Sequence, residues 1–183
     1  LWFGVFGGLV AAIVTIWKPT TANISAPIYA VLQGLALGAV SGMYEYLYDG
    51  IVMQALALTF GTLAALLLAY KSGLIKPTEN FRLMLFAATG GVFILYLISF
   101  IMSFFGGPIG FIHSNSLMGI GFSLVVVAIA ALNLVLDFDF IEQASESGAP
   151  KYLEAYGAFS LMVTLIWLYL EILRLLAKIY SRD

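Results

Sequence analysis

The sequence predicts an all-α integral membrane protein, with six transmembrane helices in a single domain that spans residues 1–183. Of the 183 residues, 62% are hydrophobic and only 10% are charged, whereas soluble domains contain roughly 45–50% apolar and about 25% charged residues. The apolar residues also fall into runs of about 20, the length of helix that crosses the roughly 30 Å hydrocarbon core of a bilayer. Both observations indicate a helical bundle, and they make the lipid bilayer its first predicted partner.

Polar breaks divide the chain into six predicted helices, at about residues 1–17, 26–48, 51–70, 83–105, 114–147 and 152–180. Each break contains residues that end helices, above all proline and glycine. These breaks are Lys18-Pro19, Asp49-Gly50, Ser72-Gly73 through Pro77, Gly106-Gly107-Pro108 and Gly148-Ala149-Pro150. The first run carries no positively charged leader, so we expect a membrane helix there rather than a signal peptide.

The basic residues predict the orientation of the helices. The first, third and fifth connections contain five of them, whereas the second and fourth connections contain no lysine or arginine. The positive-inside rule places the odd-numbered connections in the cytoplasm. Alternation then sends Lys178 and Arg182 to the outside, so the last helix either crosses, which we favour, or is re-entrant. The five basic residues are Lys18, Lys71, Lys76, Arg82 and Lys151.

Several classes of function are disfavoured by what the chain lacks. A net charge of −2 provides no basic surface for nucleic acid. There is no cysteine, no histidine-rich metal motif and no GxSxG elbow, so we expect no metal, no cofactor and no enzyme activity. The only histidine, His113, is expected to be an interfacial residue or, alternatively, a pH sensor.

Two acidic residues are the main candidates for a functional role. Glu171 lies within an apolar run, where a charge at the helix centre costs at least about 2.5–3.5 kcal/mol. It belongs either to an ion or proton pathway or to a structural pair with Arg174, three residues later. Asn133 and Asp137 are four residues apart and share a helix face. An antiparallel hairpin of the last two helices places Asp137 at the cytoplasmic mouth, opposite residues near Leu161 to Thr164, and Glu171 near the midplane. Asp137 belongs either to an ion or proton pathway or to the interface, as an acid that caps a cytoplasmic turn.

The second helix carries a stripe of small residues at a spacing of four. Such a stripe lets another helix approach closely, and tight packing is the prediction; a helix that lines a pathway is the alternative. The stripe consists of Ala30, Gly34, Gly38 and Gly42.

The last two helices resemble the C-terminal signature of the Bax inhibitor-1 family, which includes bacterial YccA-like and YetJ-like proteins. The similarity rests on Leu136-Asp137-Phe138, on Ser160-Leu161, on the run from Ile172 to Leu176, and on Ser41-Gly42 at the end of the glycine stripe. This resemblance implies a seven-helix bundle whose first helix lies upstream of Leu1. It also implies a pH-sensitive calcium or proton leak, and a location in the bacterial inner membrane.

In that family two aspartates on the last two helices share a proton, and a basic residue on an early helix latches the cytoplasmic mouth. Asp137 matches the first aspartate, but the second position is occupied by Thr164. Glu171 is therefore a candidate for a displaced partner that acts through water, and Lys18 is a candidate latch. The missing aspartate favours an alternative function, an accessory or regulatory subunit that binds another membrane complex or a membrane protease.

Overall fold

The computed structural model describes residues 1–182, which form seven α-helices. The helices are α1 (Trp2–Trp17), α2 (Ala22–Leu47), α3 (Ile51–Lys71), α4 (Glu79–Ser103), α5 (Gly110–His113), α6 (Leu117–Glu146) and α7 (Tyr152–Tyr180), with a 3-10 turn at Pro19–Thr21. Five of them are long and apolar enough to cross a membrane, and α1 is a shorter apolar helix. The predicted helical membrane bundle is confirmed, and the protein is an integral membrane protein.

Two helices begin earlier than the sequence predicts, and one short helix was not expected. The predicted start at residue 83 becomes Glu79, because the Thr78 hydroxyl accepts a hydrogen bond of 3.2 Å from the Phe81 amide and caps α4. Helix α2 begins at Ala22 and contains Pro27 within its length. The four-residue α5 lies in the connection that precedes α6.

Helix α7 is the central helix of the bundle. It packs against α2, α3 and α6, and Leu168 and Leu173 on α7 are fully buried together with Leu134 on α6. Large apolar side chains on the outer helix faces are exposed, as expected for surfaces that contact lipid. Glu171 therefore faces protein and not hydrocarbon.

Contacts between residues near the helix ends show which ends of the helices lie together. Arg82 forms an ion pair with Asp139, and the Tyr70 hydroxyl donates to Glu142, so the third and fifth connections share one end, called here the basic end. Tyr48 and Tyr180 stack at a centroid distance of 6.0 Å at the opposite end. Because α7 begins at the basic end and Tyr180 lies at the other, α7 runs the full length of the bundle.

The glycine stripe on α2 does not make the predicted close contact within residues 1–182. A Cβ atom at Gly34, Gly38 or Gly42 would meet no atom within 4 Å, so that prediction is wrong for the helices described. Close approach occurs instead at α1, where a Cβ on Gly4 would lie 2.6 Å from the carbonyl oxygen of Leu32. Helix α2 thus turns a different face to α1, and Gly38 lines an apolar cavity of about 270 Å³ between α2, α3 and α7.

Candidate functional site

Asp137 faces α7 near the basic end of the bundle. The Ser160 hydroxyl donates a hydrogen bond of 2.6 Å to its Oδ1 atom. The hydroxyl of Thr164 lies beside the same carboxylate and donates to the Ser160 carbonyl at 3.2 Å. Asp137 is only 8% exposed, and its Oδ2 atom has no hydrogen-bond partner among the described residues. The hairpin of α6 and α7 therefore places Asp137 opposite the stretch of α7 where the sequence predicts its partner.

A partly open cavity of about 580 Å³ adjoins Asp137. Asn133 also lines it, and its amide donates to the Thr89 hydroxyl at 3.0 Å and to the Ile129 carbonyl at 2.8 Å. Three of the predicted pathway residues, Asn133, Asp137 and Thr164, thus share one cavity. Its polar lining comes from α2, α6 and α7 and consists of Tyr29, Gln33, Asn133, Asp137, Tyr156, Ser160 and Thr164.

Lys18, the candidate latch, does not contact this site. Its side chain is exposed at the C-terminal end of α1, and it forms no ion pair with a carboxylate of residues 1–182. At this end of the bundle the ion pair is the one between Arg82 and Asp139, and Gln143 also donates to the Asp139 carboxylate at 3.0 Å. Arg82 therefore pairs with Asp139 and not with Asp137, the acid two residues earlier that a latch would hold.

Glu171 belongs to a separate network on α4 and α7. The Tyr96 hydroxyl donates to its Oε1 atom at 2.8 Å, and Arg174 Nη1 donates to the same hydroxyl at 2.9 Å. Arg174 Nη1 is 3.6 Å from Glu171 Oε1, and the guanidinium carbon lies 5.2 Å from the centroid of the Tyr96 ring. Glu171 is 3% exposed and its Oε2 atom has no partner among the described residues. The predicted pair of Glu171 and Arg174 is present, and Tyr96 bridges it.

The structure does not bring Glu171 to Asp137. Glu171 lies seven residues beyond Thr164, or about 10 Å along α7 at about 1.5 Å per residue. The fully buried Leu168 lies between them on α7. Asp137 lines the cavity near the basic end, whereas the partners of Glu171, Tyr96 and Arg174, line a different cavity of about 530 Å³. This structure gives no support to a displaced dyad that is connected through water.

Lys178 is a further buried charge whose position the sequence did not reveal. It is 4% exposed, and its ammonium group donates to the Ile112 carbonyl at 2.5 Å, the Gly119 carbonyl at 3.2 Å and the Ser123 hydroxyl at 2.8 Å. These contacts hold α5 and the start of α6 against α7. The sequence contains one indication that Lys178 faces inward. Lys178 follows Glu171 by seven residues, two helical turns along nearly the same face.

His113 lies at the end of α5, close to this second cavity. Its side chain is exposed, but partial burial of the imidazole, and then the positive charges of Arg174 and Lys178, lower the pKa of His113. The ring lies 3.4 Å from the Ser99 hydroxyl, measured from Nε2. His113 therefore stays neutral to lower pH than a free histidine does.

Within residues 1–182, no three histidine, cysteine, aspartate or glutamate side chains come together as a metal site. A model of the family described as Bax inhibitor 1 like matches residues 1–181 of the chain. Searches of curated proteins and of solved structures found no match.

Proposed function

Because the chain belongs to the Bax inhibitor 1 like family, we propose that it is a pH-sensitive leak for protons or calcium ions in which Asp137 is the ion-accepting residue. One observation carries the proposal: the Asp137 carboxylate is buried, yet one of its oxygens has no partner among the described residues, and the side chain lines a cavity that has several polar groups in its largely apolar wall. A buried carboxylate without compensation is costly, so a proton, a cation or a water molecule is needed at Oδ2.

The ligands around Asp137 match a proton better than a calcium ion. Calcium takes six to eight oxygen ligands, usually including several carboxylates. Here a single carboxylate is accompanied by the hydroxyls of Ser160 and Thr164 and by the Asn133 amide. A proton needs only the free oxygen. We therefore propose proton movement as the first activity, with calcium as a weakly held second ion.

The arrangement corresponds to a closed form of such a pathway. Leu134 and Leu168 are fully buried between the cavity at Asp137 and the network at Glu171. Conduction would require α6 and α7 to separate at this packed layer. Glu171 would then become the next acid along the path, and its unpartnered Oε2 atom supports that role.

Flux from proteoliposomes tests the proposal. Wild-type protein should move protons faster than empty liposomes do, and the rate should differ between pH 6 and pH 8. Asp137→Asn preserves the shape of the side chain but removes its charge, so flux per folded molecule should fall about tenfold or more. Glu154→Gln is the matched control, because Glu154 is an exposed acid on α7 near the same end. Equal loss in both variants would contradict the role of Asp137.

We further propose that the protein lies in a bacterial inner membrane with the basic end in the cytoplasm. The proposal rests on the five lysines and arginines that lie in the first, third and fifth connections between the predicted helices. The chain contains no cysteine, so a cysteine at Lys76 or at Asp49 can be labelled alone in intact cells with an impermeant reagent. Asp49→Cys should react from outside and Lys76→Cys should not; the reverse pattern would overturn the orientation.

The second candidate function is an accessory subunit that binds another membrane complex, such as a membrane protease. Thr164 favours it, since a hydroxyl cannot replace the second acid of the proton-sharing pair. Wild-type flux equal to that of empty liposomes at both pH values would favour this function. Gly38→Cys would then be a useful site for crosslinking, because the face of α2 around Gly38 is open.

A further inference from the structure

The cavity of about 530 Å³ at the end away from Asp137 carries a set of hydrogen-bond donors. Its polar lining consists of Tyr96, Ser99, Ser103, His113 and Arg174. The Ser99 side chain is buried, at 3% exposure, and holds the loop in place by accepting a hydrogen bond of 3.2 Å from the Ile109 amide. The cavity walls are thus fixed by contacts within the protein.

Arg174 is positioned as the main charged group of this cavity. One guanidinium nitrogen, Nη1, donates to the Tyr96 hydroxyl, and the group lies over the Tyr96 ring. The side chain is still 35% exposed. The planar guanidinium has five N–H donors, so most of them remain for a ligand after Tyr96 has used one.

The surrounding charges favour an anion in the cavity. Two cations, Arg174 and Lys178, are near one carboxylate of residues 1–182, that of Glu171. Lys178 is bound only to neutral oxygens, two carbonyls and a hydroxyl. One carboxylate offsets only one of the two positive charges, and burial makes the remaining charge costly. A bound anion would neutralise the second positive charge, whereas a bound cation would add to the excess of positive charge.

We propose that this cavity binds a small phosphate-type oxyanion, held by Arg174 together with the hydroxyls of Ser99 and Ser103. The Ser103 hydroxyl donates to the Phe100 carbonyl at 2.6 Å, and it would turn from that carbonyl to the anion. A guanidinium pairs with such anions through two parallel hydrogen bonds, a geometry that lysine cannot provide. The anion has two plausible sources, free inorganic phosphate or the headgroup of an anionic lipid. This site does not include Asp137, and its test does not depend on whether the protein conducts protons.

Calorimetric titration of the purified protein with inorganic phosphate, in a neutral detergent, tests the chemistry. Ser103→Glu places a carboxylate in the cavity at an exposed position, so the fold should persist while phosphate affinity falls at least tenfold. Ser72→Glu is the matched control, an exposed serine at the basic end, and should bind as wild type does. Arg174→Gln should also lose at least tenfold in affinity, whereas Arg82→Gln should not.

Nanodiscs distinguish the two sources of the anion. If a lipid headgroup is the ligand, discs that contain phosphatidylglycerol should raise the melting temperature above that in pure phosphatidylcholine for wild type and Ser72→Glu, but not for Ser103→Glu. Titration with phosphate in detergent would then show little heat. If neither phosphate nor phosphatidylglycerol has an effect, or if Ser103→Glu and Ser72→Glu respond alike to both, the proposed site is wrong.

Discussion

Gly119→Ala should be much more damaging than Gly121→Ala, although both changes add one methyl group to α6. A Cβ atom at Gly119 would lie 2.0 Å from the Ser114 carbonyl oxygen, whereas at Gly121 it would meet nothing within 4 Å. Ordinary contact begins near 3.4 Å, so the carbonyl must move by about 1.4 Å. Overpacking of this kind costs about 1–3 kcal/mol. If α6 moves instead of the carbonyl, the hydrogen bond from Lys178 to the Gly119 carbonyl is strained.

Replacing glycine by alanine in a helix stabilises it by about 0.8–1.0 kcal/mol, and this gain is similar at both positions. The difference in unfolding free energy between the two variants therefore reports the steric cost alone. The free energy of unfolding should be about 1–3 kcal/mol lower for Gly119→Ala than for Gly121→Ala. Unfolding in mixed detergent micelles, followed by circular dichroism, measures that difference. Equal stability would show that residue 114 does not pack against the first turn of α6.

Three further changes test other parts of the structure. Folding lowers the pKa of His113, so the unfolded chain binds more protons and stability should fall as pH drops below about 6.5; His113→Gln should flatten that part of the stability profile. Gly4→Val should separate α1 from α2 and lower the melting temperature, while Gly38→Val, which meets open space, should not. Tyr96→Phe leaves the buried Glu171 without its donor and should cost about 1–3 kcal/mol in the same unfolding assay.

The membrane fold and the position of Asp137 against α7 were predictable because they depend on local signals. Apolar runs between proline and glycine breaks define spans without any knowledge of packing. The short turn at Gly148 to Pro150 makes α6 and α7 antiparallel neighbours, so the partner of Asp137 follows from counting residues back from the turn. Ser160, which donates a hydrogen bond to Asp137, lies one residue before Leu161 to Thr164, the stretch that this count places opposite Asp137.

The rotation of each helix in the bundle was not predictable. Lipid tails are as apolar as leucine, so hydrophobicity does not distinguish a face that packs on protein from one that faces lipid. The stripe at Gly38 was therefore expected to contact a helix and instead lies open. For the same reason the sequence could not show that Tyr96 of α4 meets Glu171, or that Lys178 turns inward to neutral oxygens.

The most direct test of the proposed leak is the pH profile of proton flux per folded molecule in Asp137→Asn proteoliposomes, measured beside wild type between pH 6 and pH 8. Because Asp137 lines the cavity and has a buried carboxylate oxygen without a hydrogen-bond partner among the described residues, removal of its titratable group should lower the flux and remove its dependence on pH. A variant whose flux and pH profile match those of wild type would show that protons do not pass through Asp137.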